Sequence, residues 1–335
     1  MFLLPQSPPF SSLANSTKRA LSPHHSDPTT ISRTNKASTI TCARTEDDYH
    51  ATLKALKSKG RTPRKSLGQH YMLNSAVNDK LVEAADVKEG DFVLEIGPGT
   101  GSLTNVLVNA GANVLAIEKD PHMAALVGER FATIEHFTVL QEDFTKCNIR
   151  TNMAALMGNN TATTKEPKHA KVVANIPFNI STDVVKQLLP MGDIFSEIVL
   201  LLQDETALRL VDASLGTSEY RPINIFVNFY SDPEYKFQVL RSNFFPQPNV
   251  DAAVVVFKLK KPSDYPPVAS TKSFFSMVSA AFNGKRKMLR RSLQHMSTSL
   301  EIEEALGNVG LPNTSRPGEL TLDNFVQLHN LLVKA

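Results

Sequence analysis

The sequence is poor in cysteine and lacks any long apolar run. Its 335 residues include two cysteines, Cys42 and Cys147, which lie far apart and follow no metal-binding or disulfide spacing. We therefore expect a reducing compartment, no bound metal and an ordinary, partly buried thiol at Cys147. No apolar run approaches the roughly 18 residues that a membrane-spanning helix requires. We expect a soluble protein with no membrane partner.

The first 43 residues are poor in acidic side chains. They contain one acid, Asp27, four basic residues and many Ser, Thr and Pro residues. No long apolar core follows a charged start, which argues against a secretory signal and favours an organelle transit peptide. The text Ile40-Thr-Cys42-Ala43 resembles a chloroplast cleavage site. We predict that residues 1–43 are a disordered transit peptide for the chloroplast stroma, with the mitochondrion less favoured; a disordered cytosolic tail is the alternative.

Strand-like and helix-like segments alternate from residue 75 onward, with no internal repeat. Helical spacing predicts helices at 75–86, 101–110, 121–131 and 182–189. A polar segment at 148–168 interrupts the alternation and predicts a surface insertion. The alternation predicts a doubly wound, mostly parallel sheet with ligands at the carboxyl ends of its strands. Apolar runs predict its strands at 92–96, 114–117, 137–140, 172–174 and 198–202.

The later part of the chain changes character. Apolar runs at 223–230 and 252–259 predict two further strands, which could pair antiparallel because no comparable helix separates them. A proline-rich linker follows at 261–267. Beyond it, an apolar stripe that starts at Phe274 predicts a helix ending at Asn283-Gly284, and a second stripe lies near residues 322–328. We predict a small all-helical domain over residues 268–335.

A glycine-rich turn follows the strand predicted at 92–96. Its text is Glu95-Ile-Gly97-Pro-Gly99-Thr-Gly101. Gly97 and Gly99 permit backbone angles closed to other residues and let a ligand approach the main chain. The pattern alone is weak, because its spacing differs from that of dinucleotide folds. A tight structural turn explains the glycines equally well.

Acidic residues stand at the carboxyl ends of the next two predicted strands. Glu118 could accept hydrogen bonds from a ribose diol, and Asp143 could accept one from an adenine amino group. Either residue alone could be a surface charge or a helix cap. Taken with the glycine turn, the three strand ends fit S-adenosylmethionine, whose amino-acid part would lie near the turn. No diphosphate is required.

Asn175-Ile-Pro-Phe178 follows the strand predicted at 172–174. An amide, a proline and an aromatic ring make a poor core and a poor turn at this position. They suit a clamp on a flat ring that carries an amino group. The two segments together predict a cofactor pocket beside a pocket for a base.

Five ordered motifs between residues 61 and 330 resemble the small-subunit ribosomal RNA adenine dimethyltransferases (KsgA type), most closely their chloroplast members. The resemblance implies a Rossmann-like, S-adenosylmethionine-dependent methyltransferase domain over residues 44–262, with a basic N-terminal lead-in, before the helical domain. It also implies dimethylation of two adjacent adenosines near the 3′ end of small-subunit rRNA, in support of ribosome biogenesis. The motifs are Lys65–Met72, Glu95–Gly101, Asn175–Ser181, Phe244–Val255 and Ala281–Ser292.

The resemblance also implies roles for single residues. The Asn175 oxygen and a main-chain carbonyl of Ile176-Pro177 would accept hydrogen bonds from the adenine amino group and so make its nitrogen a better nucleophile. Phe178 would stack on the base, and Phe244 is the candidate for its opposite face; either ring alone could be ordinary core. The residues implied to bind the cofactor are His70, Met72, Gly97, Gly99, Glu118, Asp143 and Asn175.

Two residues depart from the usual family text. His70 stands where Asn is usual, and Phe178 stands where many members have Tyr. Because imidazole can donate or accept a hydrogen bond, we expect cofactor binding to survive. A packed or exposed loop histidine is the alternative. A phenyl ring cannot donate a hydrogen bond, so the polar role falls on Asn175 and the adjacent backbone.

Two basic clusters are the predicted RNA-binding surfaces. The net charge of +3 falls to zero without residues 1–43, so local clusters must support an RNA partner. On a helix, Arg286 and Arg290, and likewise Lys287 and Arg291, would repel at i,i+4 spacing, which favours a partner anion. A solvated charged face is the alternative. The clusters are Lys57, Lys59, Arg61, Arg64 and Lys65, and Lys285, Arg286, Lys287, Arg290 and Arg291.

The predicted partner is small-subunit rRNA or a pre-ribosomal small subunit, bound by a monomer. Since the chemistry needs an accessible base, the target adenosine must lie in a loop or leave its stack. An alternative from another class is an RNA-binding assembly or transcription factor of the same fold in which catalysis is dispensable. A nicotinamide dehydrogenase would need a diphosphate loop, which the sequence lacks.

Overall fold

The computed structural model describes residues 38–40, 54, 63, 68–158, 169–284 and 287–333. The basic cluster at 57–65, the second half of the predicted insertion, and Lys285 and Arg286 lie outside the described residues. Most of the predicted transit peptide also lies outside them. Three of its residues, Ser38–Ile40, form a short strand. The transit peptide therefore stays a prediction.

An eight-stranded sheet, with strands in the order β1-β8-β10-β7-β6-β3-β4-β5, organises the fold. Strands β7, β6, β3, β4 and β5 run parallel to one another, and β10 runs antiparallel to its neighbours β7 and β8. A separate pair joins β2 and β9. The strands, numbered along the chain, are β1 (Ser38–Ile40), β2 (Tyr71–Met72), β3 (Phe92–Ile96), β4 (Asn113–Glu118), β5 (Phe137–Gln141), β6 (Ala170–Asn175), β7 (Phe195–Gln203), β8 (Ser231–Val239), β9 (Phe244–Phe245) and β10 (Ala252–Leu259).

Helices cover both faces of the sheet. Leu94 and Val172 point into one apolar core while their neighbours Val93 and Val173 point into the other, as expected of a parallel sheet buried on both sides. The helices are α1 (Ser75–Ala84), α2 (Ser102–Asn109), α3 (Pro121–Arg130), α4 (Ile149–Gly158), α5 (Ser181–Leu188), α6 (Asp204–Asp212), α7 (Pro222–Tyr230), α8 (Thr271–Asn283), α9 (Leu289–Ser292), α10 (Ser299–Asn308) and α11 (Leu322–Leu332).

The sheet order places a topological switch point between β3 and β6. From β3 the chain moves outward to β4 and β5, and then returns to the other side of β3 to form β6 and β7. In such sheets the crevice at the carboxyl ends of the diverging strands is the usual ligand site. The mixed, mostly parallel sheet predicted from the sequence is confirmed.

The prediction of a strand at 223–230 is wrong, because Pro222–Tyr230 is helix α7. Pro222 occupies the first turn, and the Arg221 amide donates to the Asn224 side-chain oxygen across 2.9 Å. The helix is apolar around most of its circumference. Its last two residues, Phe229 and Tyr230, pack on the aromatic rings of α8. A short helix that is apolar on several sides has the composition of a buried strand, which is why its residues were assigned to one. The antiparallel partner of β10 is instead β8.

The predicted surface insertion is also wrong in its first half. Residues Ile149–Gly158 form α4, and the side chains of Ile149 and Met153 are fully buried in the core. The polar residues between them face outward, so the segment is an ordinary amphipathic helix. Residues 159–168 lie outside the described residues.

The segment after residue 268 is helical, as predicted, and α8 ends at Asn283. Its apolar residues, including Phe274 and Phe325, belong to the same core as one face of the sheet. The helices of this segment therefore pack on the sheet domain through a continuous apolar contact.

Cys147 is a partly buried, free thiol, as predicted, and burial raises its pKa to about 11. Among the described residues, no group of His, Cys, Asp and Glu side chains has the arrangement of a metal site. Within the same part of the chain, no helix has the length and apolarity needed to cross a membrane.

Candidate active site

A cavity of about 180 Å³ opens at the carboxyl ends of β3, β4 and β6. Strand register explains why the predicted residues meet there. Ile96 pairs with Ile117, so the next residues, Gly97 and Glu118, lie at the same level. Leu94 pairs with Val172, which puts Asn175 at that level as well. The predicted residues that line the cavity are His70, Met72, Gly97, Gly99, Glu118, Asp143, Asn175, Pro177 and Phe178.

The glycine turn requires its glycines. Gly97 and Gly99 have φ values of 68° and 57°, in the left-handed region that other residues avoid. A Cβ atom at Gly99 would also lie 3.1 Å from the Tyr71 ring. The turn leads directly into α2, whose first backbone N–H groups have no intrahelical partner.

Glu118 is held by the backbone at the end of β4. One carboxylate oxygen accepts a hydrogen bond from the Gly99 amide at 3.2 Å, and the other accepts one from the Asp120 amide at 2.8 Å. Burial raises the pKa of Glu118, while these two bonds act in the opposite direction. A carboxylate has about four acceptor positions, so capacity remains for a hydroxyl pair in the cavity.

Two buried acceptors in the cavity wall were not predicted as site residues. Thr104 donates to one oxygen of Glu95 at 2.7 Å, but the other Glu95 oxygen has no partner among the described residues. The side-chain oxygen of Asn78, on α1, is likewise buried and has no hydrogen-bond partner among the described residues. Burial raises the pKa of Glu95 to about 8, and the nearby charge of Glu118 adds to the shift. The signal in the sequence was a carboxylate inside a buried strand, next to the glycine turn.

Asp143 lies on the other side of the cavity, after β5. Its carboxylate caps a short 3-10 turn by accepting from the Thr145 amide at 3.1 Å and from the Thr145 hydroxyl at 2.8 Å. Lys119 forms an ion pair with it at 2.9 Å. The Lys119 and Thr145 hydrogen bonds lower the pKa of Asp143 and keep it ionised. Lys119 also lines the cavity and was not predicted.

The Asn175–Phe178 segment forms the remaining wall. Asn175 is the last residue of β6, and Phe178 begins a 3-10 turn that leads into α5. Both side chains are half-buried. The Phe178 ring lies 5.9 Å from the His70 ring, with an interplanar angle of 26°. Nδ1 of His70 lies 2.7 Å from the carbonyl oxygen of Pro246.

Comparison with known proteins identifies the family of this chain. The family described as ribosomal RNA adenine dimethylase matches residues 60–334. The chain belongs to the ribosomal RNA adenine dimethylase family.

Similar proteins agree with this assignment. The chain is 69% identical over 296 residues to "Ribosomal RNA small subunit methyltransferase, chloroplastic" of Arabidopsis thaliana, covering 88% of this chain and 86% of that one. It is 35% identical over 278 residues to "Ribosomal RNA small subunit methyltransferase A" of Protochlamydia amoebophila, covering 83% and 94%. A solved dimethyladenosine transferase from Plasmodium falciparum aligns with a TM-score of 0.63 and 25% identity, over 77% of this chain and 95% of that one.

One predicted site residue, Phe244, lies away from the cavity. The ring of Phe244, in β9, is only 2% exposed and packs in the core with Met72 and Val77. The prediction that Phe244 covers the second face of the base is wrong, because β9 pairs with β2 and turns this ring inward.

The described residues of the second basic cluster, Lys287, Arg290 and Arg291, do not all lie in one helix. Lys287 precedes α9, so the predicted i,i+4 pairing of Lys287 with Arg291 is wrong. Arg290 forms an ion pair with Glu303 of α10 at 2.6 Å. Lys287 and Arg291 are exposed. Among the described members of the cluster, these two are the ones open to a phosphate partner.

Proposed function

We propose that this protein is an S-adenosylmethionine-dependent rRNA adenine dimethyltransferase. Its proposed substrate is a pair of adjacent adenosines near the 3′ end of small-subunit rRNA. One observation supports this most directly. Strand register aligns Gly97, Glu118 and Asn175 at one edge of the sheet, so that the residues proposed to bind the cofactor and the residue proposed to bind the base line the same cavity.

The residues of the cavity fit the proposed cofactor. The unpaired oxygens of Glu95 and Asn78 suit the ammonium of an amino acid, since each is a buried acceptor without a donor. Glu118 would accept from the ribose hydroxyls and Asp143 from the adenine amino group. Gly97 and Gly99 keep the turn open for close approach. When bound, S-adenosylmethionine supplies a methyl group on a sulfonium, which is a good leaving group.

Asn175 would act on the target base. Its side-chain oxygen and a main-chain carbonyl of the Ile176-Pro177 segment would accept hydrogen bonds from the amino group of adenine. These bonds favour a pyramidal nitrogen with a more available lone pair. Phe178 would hold the ring by stacking. The residues thus act by positioning and by fixed polarity, without a strong base.

The proposed substrate and compartment rest on similarity. The Arabidopsis relative is named as a chloroplastic small-subunit methyltransferase, and the identity of 69% extends over most of both chains. We infer action on small-subunit rRNA in the plastid stroma, by a monomer that binds the pre-ribosomal small subunit. The composition of residues 1–43 supports an organelle transit peptide, and the resemblance of Ile40-Thr-Cys42-Ala43 to a chloroplast cleavage site favours the plastid over the mitochondrion.

Methyl transfer to purified small subunits that lack the dimethyladenosines tests the proposal. We expect wild-type protein to transfer label from S-adenosylmethionine, and Asn175→Ala to lose at least about a hundredfold in rate while still binding subunits. Asn152→Ala, on α4 outside the cavity, is the matched control and should transfer normally. If wild type bound subunits tightly and transferred nothing, the assembly-factor alternative would be favoured.

A further inference from the structure

His70 connects three separate segments at the rim of the cavity. Its ring follows the Gly68 turn, stacks beside Phe178 at 5.9 Å, and contacts the Pro246 carbonyl at 2.7 Å. Pro246 lies 176 positions further along the chain. His70 therefore joins the turn that begins at Phe178 to the turn after β9, which distinguishes it from a histidine that packs only within its own loop.

The Pro246 contact determines which nitrogen of the His70 ring carries the donated hydrogen. A carbonyl oxygen can only accept a hydrogen bond, so Nδ1 of His70 must carry the hydrogen. That bond sets the orientation of the ring. The anchor lies outside the Asn175–Phe178 segment, so it holds the ring in place independently of that segment.

The stacking contact occupies one face of Phe178. The centroid distance and the interplanar angle of 26° are those of an offset aromatic pair. Phe178 also packs against the apolar core, so a base that stacks on it must use ring surface that neither His70 nor the core covers. Phe244 cannot cover the far side of that base, because its ring is buried in the core.

We propose that His70 is a positioning residue for the target base. Its Nδ1–H bond to Pro246 anchors the ring, and the ring holds Phe178 in the orientation that receives the adenine. This inference rests on the proposed function, and it gives His70 a role on the base side of the cavity in addition to its place in the cavity wall.

Two substitutions separate the effect of the hydrogen bond to Pro246 from the effect of the stacking contact with Phe178. His70→Asn keeps a donor near the position of Nδ1 but removes the ring, whereas His70→Phe keeps a ring but removes the donor. We expect His70→Asn to lower kcat/KM for RNA by about tenfold, which corresponds to the interaction free energy of one aromatic pair. The Kd for S-adenosylmethionine should change by less than about twofold. His70→Phe should fall between His70→Asn and wild type.

A double-mutant cycle then tests whether His70 acts through Phe178. The variant carrying both His70→Asn and Phe178→Leu should be no slower than Phe178→Leu alone, because the ring to be positioned is already absent. His136→Asn is the matched control. His136 makes a similar ring-to-carbonyl contact with Val108 at 3.3 Å, away from the cavity, and its loss should leave kcat/KM unchanged.

Three results would overturn the proposal. Rate losses that multiply in the double variant would show that His70 and Phe178 act independently. A rise in the cofactor Kd without a change in RNA kinetics would make His70 a cofactor contact only. Faster turnover of His70→Ala would mean that the ring blocks the base site.

An NMR measurement of the free protein separates this inference from the proposed function. The ¹⁵N and ring-proton shifts of His70 should report the Nδ1–H tautomer and a ring-current shift that Phe178→Leu removes. Absence of either would refute the contact whatever the activity. If the wild type transferred no methyl group, base positioning would fall with the proposed function, although the NMR shifts remained as expected.

Discussion

The backbone amide of Gly99 donates a 3.2 Å hydrogen bond to the carboxylate of Glu118, which ties the glycine turn after β3 to the end of β4. One contact thus couples the shape of the turn to the position of the proposed ribose acceptor. A change in either residue is expected to disturb both.

Gly99→Ala tests this coupling. The new Cβ would lie 3.1 Å from the Tyr71 ring at a φ of +57°, so the turn must shift. We expect a loss of about 1–2 kcal/mol in the free energy of unfolding and at least about a tenfold weaker binding of S-adenosylmethionine, measured by urea denaturation and calorimetry. Gly216→Ala is the control, because Gly216 also has a positive φ, +78°, but no atoms within 4 Å of the added carbon. It should lose stability without losing cofactor affinity; equal affinity losses would contradict the coupling.

Glu95 predicts a pH dependence of stability. Its pKa rises from an ordinary 4.5 in the unfolded chain to about 8 in the folded protein. Between these values the folded protein keeps a proton that the unfolded chain has lost, so the free energy of unfolding falls as the pH rises through this window. The contribution of one such group is at most about 1.4 kcal/mol per pH unit.

The measurement is urea unfolding at pH 5, 6, 7 and 8 for wild type and Glu95→Gln. The variant should gain stability relative to wild type as the pH rises, because it has no carboxyl group to ionise. Burial also raises the pKa of Glu118, and comparison of the two proteins removes that common effect. Parallel pH profiles would show that Glu95 ionises normally in the folded protein.

The fold was predictable wherever one physical signal dominated. Five parallel strands, four of them buried, and three of the four helices between them were predicted from apolar runs and helical spacing. Parallel strands buried on both faces are continuously apolar, which makes them visible in the sequence. The same rule failed at Pro222–Tyr230, where a helix buried on several sides has the composition of a strand. It also failed at α4, because two core residues among polar neighbours looked like a surface segment.

The site was predictable in its motifs but not in its contacts. Strand-end residues such as Gly97, Glu118 and Asn175 could be placed at one edge because strand ends meet there. The unpaired oxygens of Glu95 and Asn78 could not be predicted, since they depend on the tertiary packing of α1, which contacts α2 and β2. The inward turn of Phe244 depends on the pairing of β9 with β2, which bridges distant parts of the chain.

Arg290 and Arg291 are adjacent arginines with different expected roles. Arg290 is bonded to Glu303 at 2.6 Å and its Nε is buried without a partner, whereas Arg291 is exposed. We expect Arg290→Ala to lower the free energy of unfolding by about 1 kcal/mol. Arg291→Ala should leave stability unchanged, weaken binding to small subunits and reduce the salt dependence of binding by about one phosphate contact. Unfolding and salt-titrated binding assays check both, and the opposite assignment of effects would show that α9 does not meet RNA through Arg291.

Mass spectrometry of small-subunit rRNA, after incubation of unmethylated subunits with this protein and S-adenosylmethionine, tests the central claim most directly. The account predicts two adjacent dimethyladenosines near the 3′ end with wild type and none with Asn175→Ala. Unmodified adenosines with wild-type protein, or methyl groups confined to other nucleotides, would contradict it.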